Sequence, residues 1–218
     1  MNSIIIVSPH PDDLEIGMGG TVAKLVSGGN NIISLVVTDG RRSTNVNSLG
    51  MDELAELRNR EVRNSSELLG IKELLTLGLP DVESRGNKDV LKEKFRELIN
   101  TFRPGEIFIP HPEIDKHRTH RLVSEQVLGV MSEVFKTNAD RPECWCYEVW
   151  TSFQDYDRLE DISDFVDIKT KAIEMHSSQT AYKNYVDGII GLNRYRAVFH
   201  ESSGVSDMGY AEVFKKII

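Results

Sequence analysis

Two cysteines in 218 residues, Cys144 and Cys146, are too few to found a disulfide scaffold. They stand at i, i+2 in Glu143-Cys-Trp-Cys-Tyr147, so in a strand they face the same way but lie too far apart for an unstrained bridge. With no Cys-x-x-Cys spacing and no second pair, they are expected to be reduced, structural thiols rather than zinc ligands. Basic charge is also scarce. Lys and Arg number 26 against 34 Asp and Glu, for a net charge of −8, and no Lys/Arg cluster offers a nucleic acid a footprint. Long apolar runs are missing too. The N-terminal run Ile4-Ile5-Ile6-Val7 is far shorter than a signal-peptide core or a membrane span, and no basic region precedes it, so no transmembrane segment and a cytoplasmic location are expected. Finally, no Pro/Ser-rich linker, low-complexity tract or repeat divides the chain, which predicts one domain over residues 1–218.

What is present concentrates early. The β-branched run 4–7 suits a strand buried on both faces. It opens into Ser8-Pro9-His10-Pro11-Asp12-Asp13-Leu14-Glu15-Ile16-Gly17-Met18-Gly19-Gly20. Prolines on both sides of His10 disfavour helical backbone before each of them, so His10 is expected in a stiff, extended turn. One imidazole and two carboxylates on such a turn supply ligands for a divalent ion and one spare base. An Asp-Asp pair before a helix can also serve only as a cap. The glycines permit close backbone approach, yet they lack the spacing of a dinucleotide fingerprint and no P-loop lysine follows.

Further along, the pattern predicts helix over 21–27, strand over 31–38 ending at Asp39-Gly40, and a polar loop over 41–50 suited to act as a lid. Helix follows over 52–69, where Arg58 and Glu61 at i, i+3 can simply pair, then strand over 72–79 with Asp81 at the same sheet edge. Helix over 90–102 and strand over 106–109 lead to Pro110-His111-Pro112-Glu113-Ile114-Asp115-Lys116-His117-Arg118-Thr119-His120 and a helix to about residue 135. His117 and His120, at i, i+3 of a helix start, can point into one crevice. The last third predicts strands over 145–149 and 165–168, a helix over 169–178 with His176 near its C-terminus, partial helix over 182–199, a loop over 205–208 and a closing strand over 210–214. Strands alternating with helices indicate an α/β fold, a Rossmann-like three-layer α/β/α arrangement around a mostly parallel sheet.

On these residues the sequence resembles the LmbE-like, PIG-L-type N-deacetylases. The family's Pro-His-Pro-Asp-Asp turn appears at 9–13 and its His-x-x-His element at 117–120. Supporting matches include Val37-Thr38-Asp39-Gly40, Arg58-Asn59-Arg60-Glu61, Leu79-Pro80-Asp81, His176-Ser177-Ser178-Gln179 and Tyr210-Ala211-Glu212-Val213-Phe214. The resemblance implies one divalent ion, usually zinc, held by His10, Asp13 and His120, with Asp12 as general base and His117 as an assisting histidine. It also implies substrate-holding roles for Arg58 and Asp81. Two histidines and a carboxylate suit ferrous iron as well. Thr119 departs from the family, which often has aspartate there, so a partner for His117 must come from elsewhere, with Asp115 a candidate, or His117 acts less strongly as a cation.

The implied activity is removal of acetyl from an N-acetylated amino sugar, as a small molecule or within a glycoconjugate, by metal-activated water. The rival readings are a nucleotide-binding Rossmann-like domain and a metal-binding protein without catalysis. A homo-oligomer is as compatible with these residues as a monomer.

Overall fold

Four consecutive β-branched residues put Ile4, Ile5, Ile6 and Val7 in β1 (Ser3–Ser8), where all four are buried. The computed structural model describes residues 2–45, 48–136, 141–200 and 207–217. The other strands are β2 (Asn31–Thr38), β3 (Glu73–Leu79), β4 (Glu106–Pro110), β5 (Glu143–Tyr147), β6 (Arg158–Asp161) and β7 (Ala211–Lys216). They form one sheet in the order β3-β2-β1-β4-β5-β7-β6. The first five run parallel, and β7 is antiparallel to both β5 and β6.

Alternation along each strand builds a core on either face. Ile5, Val7, Ile33, Leu35, Ile107, Ile109, Cys144 and Cys146 pack with apolar residues of α3 (Arg85–Phe102) and α4 (Arg118–Val134). Ile4, Ile6, Ile32, Phe108, Trp145 and Tyr147 face the other way, toward α1 (Asp13–Ser27) and α5 (Val166–Glu174), and α2 (Met51–Leu68) packs on α5. The expected three-layer, Rossmann-like α/β/α architecture is therefore what forms. Both cysteines are free and buried on one face, and burial pushes the Cys144 thiol up to about 12.

The strand order fixes where a site can lie. From β1 the chain winds outward to β2 and β3, then returns to the other side of β1 with β4, so the order reverses between β1 and β4. The crevice beyond the carboxyl ends of the strands at such a reversal is where open α/β sheets bind ligands. His10 follows β1, and His117 and His120 follow β4.

Several elements differ from expectation. Helix α1 starts at Asp13, eight residues before the expected 21, and it is interrupted at Met18 (φ −149°, ψ 24°). Its glycines serve packing. A Cβ on Gly17 would stand 2.3 Å from Tyr147 Cδ2, and one on Gly20 2.7 Å from Ile162 Cδ1, so the nucleotide-loop reading loses its basis. Helix α3 starts at Arg85 rather than 90 because Ser84 Oγ caps it, accepting from the Asn87 amide at 3.2 Å. The strand expected over 165–168 is instead the end of a 3₁₀ turn (Ser163–Phe165) and the start of α5; its β-branched and aromatic residues suit a strand, but the segment buries Lys169, Ala172 and Ile173 at helical spacing.

The helix expected over 169–178 divides into α5 and α6 (Ser177–Thr180), with His176 at the N-cap of α6 rather than at a helix C-terminus. Strand β5 ends at Tyr147, two residues short of the expected 149. Helix α7 (Tyr185–Val198) occupies most of 182–199, and β7 supplies the closing strand. Of the loop expected over 205–208, residues 205 and 206 lie outside the described residues. Among the described residues, no helix is long and apolar enough to cross a membrane.

Candidate metal centre

Three electron-pair donors meet at the β1/β4 crevice. His10 Nδ1 lies 3.1 Å from His120 Nε2, and Asp13 Oδ2 lies 3.2 Å from each of them. Donor atoms around a tetrahedral ion with bonds of about 2.0–2.1 Å stand roughly 3.3 Å apart, so this spacing is that of a ligand set. His117 joins the cluster, its ring centroid 4.9 Å from His10 and 4.7 Å from His120. Ligand atoms of His10, His117 and His120 all fall within 4.8 Å of one another, so these histidines could hold a metal. Asp13 Oδ1 is buried and finds no partner among the described residues.

The surroundings orient the ligands. His120 Nδ1 donates to Asp115 Oδ2 at 3.0 Å, which turns Nε2 toward Asp13 and His10. The His10 amide donates to Asp13 Oδ2 at 2.7 Å, closing the turn on itself. Burial works against charge on both His120 and Asp13, yet their mutual attraction prevails. It pushes His120 up to about 10 and, with His10, holds the Asp13 carboxyl well below the usual carboxylate range. The point between them therefore favours positive charge, the condition a divalent cation needs. His117 is different. Asp115 Oδ1 accepts its backbone amide at 2.7 Å, not its ring, and its buried Nδ1 has no partner among the described residues. Burial and the neighbouring imidazoles hold His117 down to about 4, a neutral ring at neutral pH.

Asp12 stands beside this cluster on strained backbone, φ 135° at a non-glycine residue. The strain is held by Arg58, itself buried: Nη2 donates to Pro11 O at 2.5 Å and pairs with Asp12 Oδ2 at 3.1 Å, while Nη1 donates to Gly40 O at 3.2 Å. Gly40 is at φ +69°, and a Cβ there would stand 2.1 Å from Arg58 Nη1. Arg58 thus does not make the simple surface pair with Glu61; Glu61 accepts from Ser177 and Ser178 at the start of α6 instead. Burial raises Asp12 above the ordinary carboxylate range and Asp13 adds to this, against the opposing pull of Arg58.

Residues 5–131 match the family model described as PIG-L, GlcNAc-PI de-N-acetylase. The chain belongs to the PIG-L family. It is 30% identical over 191 residues to the diacetylchitobiose deacetylase of Thermococcus kodakarensis, covering 82% of this chain and 70% of that protein. It is 26% identical to a probable N-acetyl-alpha-D-glucosaminyl L-malate deacetylase 2 of Bacillus cereus, over 81% of this chain and 83% of the relative. In structure it resembles the N,N'-diacetylchitobiose deacetylase of Pyrococcus horikoshii, with a TM-score of 0.82 and 25% identity, covering 99% and 84% of the two chains. Like the PIG-L family, it is a deacetylase, an amidohydrolase.

In this PIG-L family member His10, His117, Asp12 and Asp13 open into a cavity of about 410 Å³. Arg58 and Asp81 both line it, as do Thr119 and three residues that sequence reasoning missed, Trp150, Tyr182 and Tyr185. Asp81 Oδ2 pairs with Arg42 Nη2 at 3.0 Å, and its Oδ1 accepts from the Glu83 amide at 3.0 Å. The loop expected as a lid is tied at both walls: Arg41 pairs with Asp39 and Asp52, and Ser43 Oγ accepts from Gln179 Nε2 at 3.1 Å.

Behind the metal turn, the break at Met18 is bridged by the distant parts of the chain. Glu212 in β7 accepts from the amides of Gly20 and Thr21 at 3.1 and 2.7 Å, while Lys169 Nζ donates to Glu212 at 2.6 Å and to Ile16 O at 2.9 Å. Glu15, one turn away, is buried against Ser65 Oγ and stands 3.3 Å from His176 Nε2. Its position in the Asp-Asp-Leu-Glu stretch was the only signal for Glu15, and it does not reveal the partner.

Proposed function

We propose that the protein removes acetyl from an N-acetylated amino sugar, using one divalent ion, zinc before ferrous iron, held by His10, Asp13 and His120. The observation that carries this reading is the convergence of three donors at 3.1–3.2 Å beside a carboxylate raised by burial. The donor set suits the metal, since two imidazole nitrogens and one carboxylate oxygen are ordinary catalytic-zinc ligands. Two relatives that align over most of the chain are named as deacetylases of diacetylchitobiose and of N-acetyl-alpha-D-glucosaminyl L-malate, which supports the substrate class.

A divalent ion held there supplies Lewis acidity, polarising the acyl oxygen and making water far more acidic than in bulk. The chain's own residues do the rest. Arg58 holds Asp12 Oδ2, so Oδ1 receives the proton of the attacking water. A C–O bond forms at the carbonyl carbon, and the neutral ring of His117 donates a hydrogen bond to the oxygen that gains charge. Asp12 then returns its proton to the departing nitrogen as the C–N bond breaks, giving acetate and a free amine. Arg58 acts through Asp12 and is a positioning residue, while Asp81 lines the cavity where the sugar sits.

Metal analysis of the purified protein should find close to one zinc or iron per chain, lost in His120→Ala. Asp12→Asn should keep the metal and lose amine release from N-acetylglucosamine derivatives. Undiminished turnover by Asp12→Asn would remove Asp12 from its role.

A further inference from the structure

Part of the lining of the cavity is aromatic, and nothing in the hydrolysis uses it. Trp150 follows β5 and Tyr185 is the first residue of α7; their rings meet edge to face, with centroids 5.6 Å apart. Each ring fixes the other, so the surface exists before any ligand arrives. A rigid aromatic face of this kind covers the apolar C–H face of a pyranose at little entropic cost, while polar groups around it bond the hydroxyls. The Tyr185 hydroxyl is kept protonated, raised by burial and by the charge of Asp12, and so remains a donor.

We propose that Trp150 and Tyr185 form the sugar-stacking wall of this site, covering the apolar face of an N-acetylated saccharide. This rests on the deacetylase reading above, and it adds two specificity-determining residues.

Two measurements separate the two readings. The chain has two tryptophans, and Trp145 is buried in β5 while Trp150 lines the cavity, so a change in emission on ligand binding that Trp150→Phe removes is assigned to Trp150. Titration with a β-linked N-acetylglucosamine disaccharide should quench the emission saturably, and Trp150→Phe should abolish the quench. No saturable quench, or a quench that survives Trp150→Phe, overturns the wall whether or not the protein turns over. In kinetics, Trp150→Ala and Tyr185→Ala should raise KM for the disaccharide about tenfold or more with metal content unchanged and kcat within about threefold, and Trp150→Phe should restore most of the loss. Absence of amine release from every compound, with the quench intact, refutes the deacetylase reading and leaves the saccharide wall standing.

Discussion

Asp115 Oδ2 accepts the Nδ1 proton of His120 at 3.0 Å, and its other oxygen accepts the His117 amide at 2.7 Å, so one buried carboxylate sets both the tautomer of a ligand and the start of α4. Replacing a carboxylate behind a metal-bound histidine lowers metal affinity by roughly 10–100-fold. Asp115→Ala should therefore show a loss of that size in competition with a chelating dye, while its helix content by circular dichroism stays close to that of the parent.

Gly40 and Arg58 make a second coupled pair. In Gly40→Ala, the left-handed backbone alone costs about 1–2 kcal/mol, and the new methyl displaces a guanidinium that has no free space. Amine release should fall by more than about tenfold, equivalent to about 1.4 kcal/mol in the barrier, because Arg58 can no longer hold Asp12. Zinc content should stay near that of the wild type, since Arg58 contacts Pro11, Gly40 and Asp12 and not His10, Asp13 or His120.

The Glu15–His176 pair predicts a pH dependence of stability. Burial disfavours the imidazolium, but Glu15 outweighs it and raises His176 above its ordinary 6.5, while Glu15 is itself lowered from 4.5. The His176 contribution is complete below 6.5 and fades as pH climbs through its raised value; that of Glu15 is complete above 4.5 and fades in acid. The difference in urea midpoint between wild type and His176→Gln should be widest near about pH 5–6 and narrower by about pH 9. A difference that grows toward alkaline pH would contradict the pair.

Both cysteines should be silent toward thiol reagents in the folded protein. With Cys144 up to about 12 and Cys146 well above its ordinary value, no thiolate forms at about pH 8. Ellman's reagent should find two thiols per chain only after unfolding.

Much of this architecture is legible in local residues. Ile4 to Val7 announce a doubly buried strand, and the Pro-His-Pro-Asp-Asp turn and the His-x-x-His element carry the donors found together at the sheet switch. The start of α1 was hidden because Gly17, Gly19 and Gly20 read as a loop, whereas their reason for being small is the closeness of Tyr147, Lys169 and Ile162, residues more than a hundred positions away. Strand β6, Arg-Leu-Glu-Asp, carries no strand signal of its own. It is an edge strand whose Arg158 is held by Glu106 and Glu160, and charge at an edge discourages pairing with other chains. Phe165, Val166 and Ile168 have the composition of a strand but enter a helical segment, since tertiary burial overrides the preference of a short apolar run. Trp150 and Tyr185 meet only because α7 folds back over the end of β5, and no local motif marks either.

Glu212, by accepting from Gly20 and Thr21 and pairing with Lys169, which reaches Ile16 O, joins the two halves of a broken helix from the opposite end of the chain. A polypeptide truncated ahead of β7 would thus possess His10, Asp13 and His120 and still lack that strut.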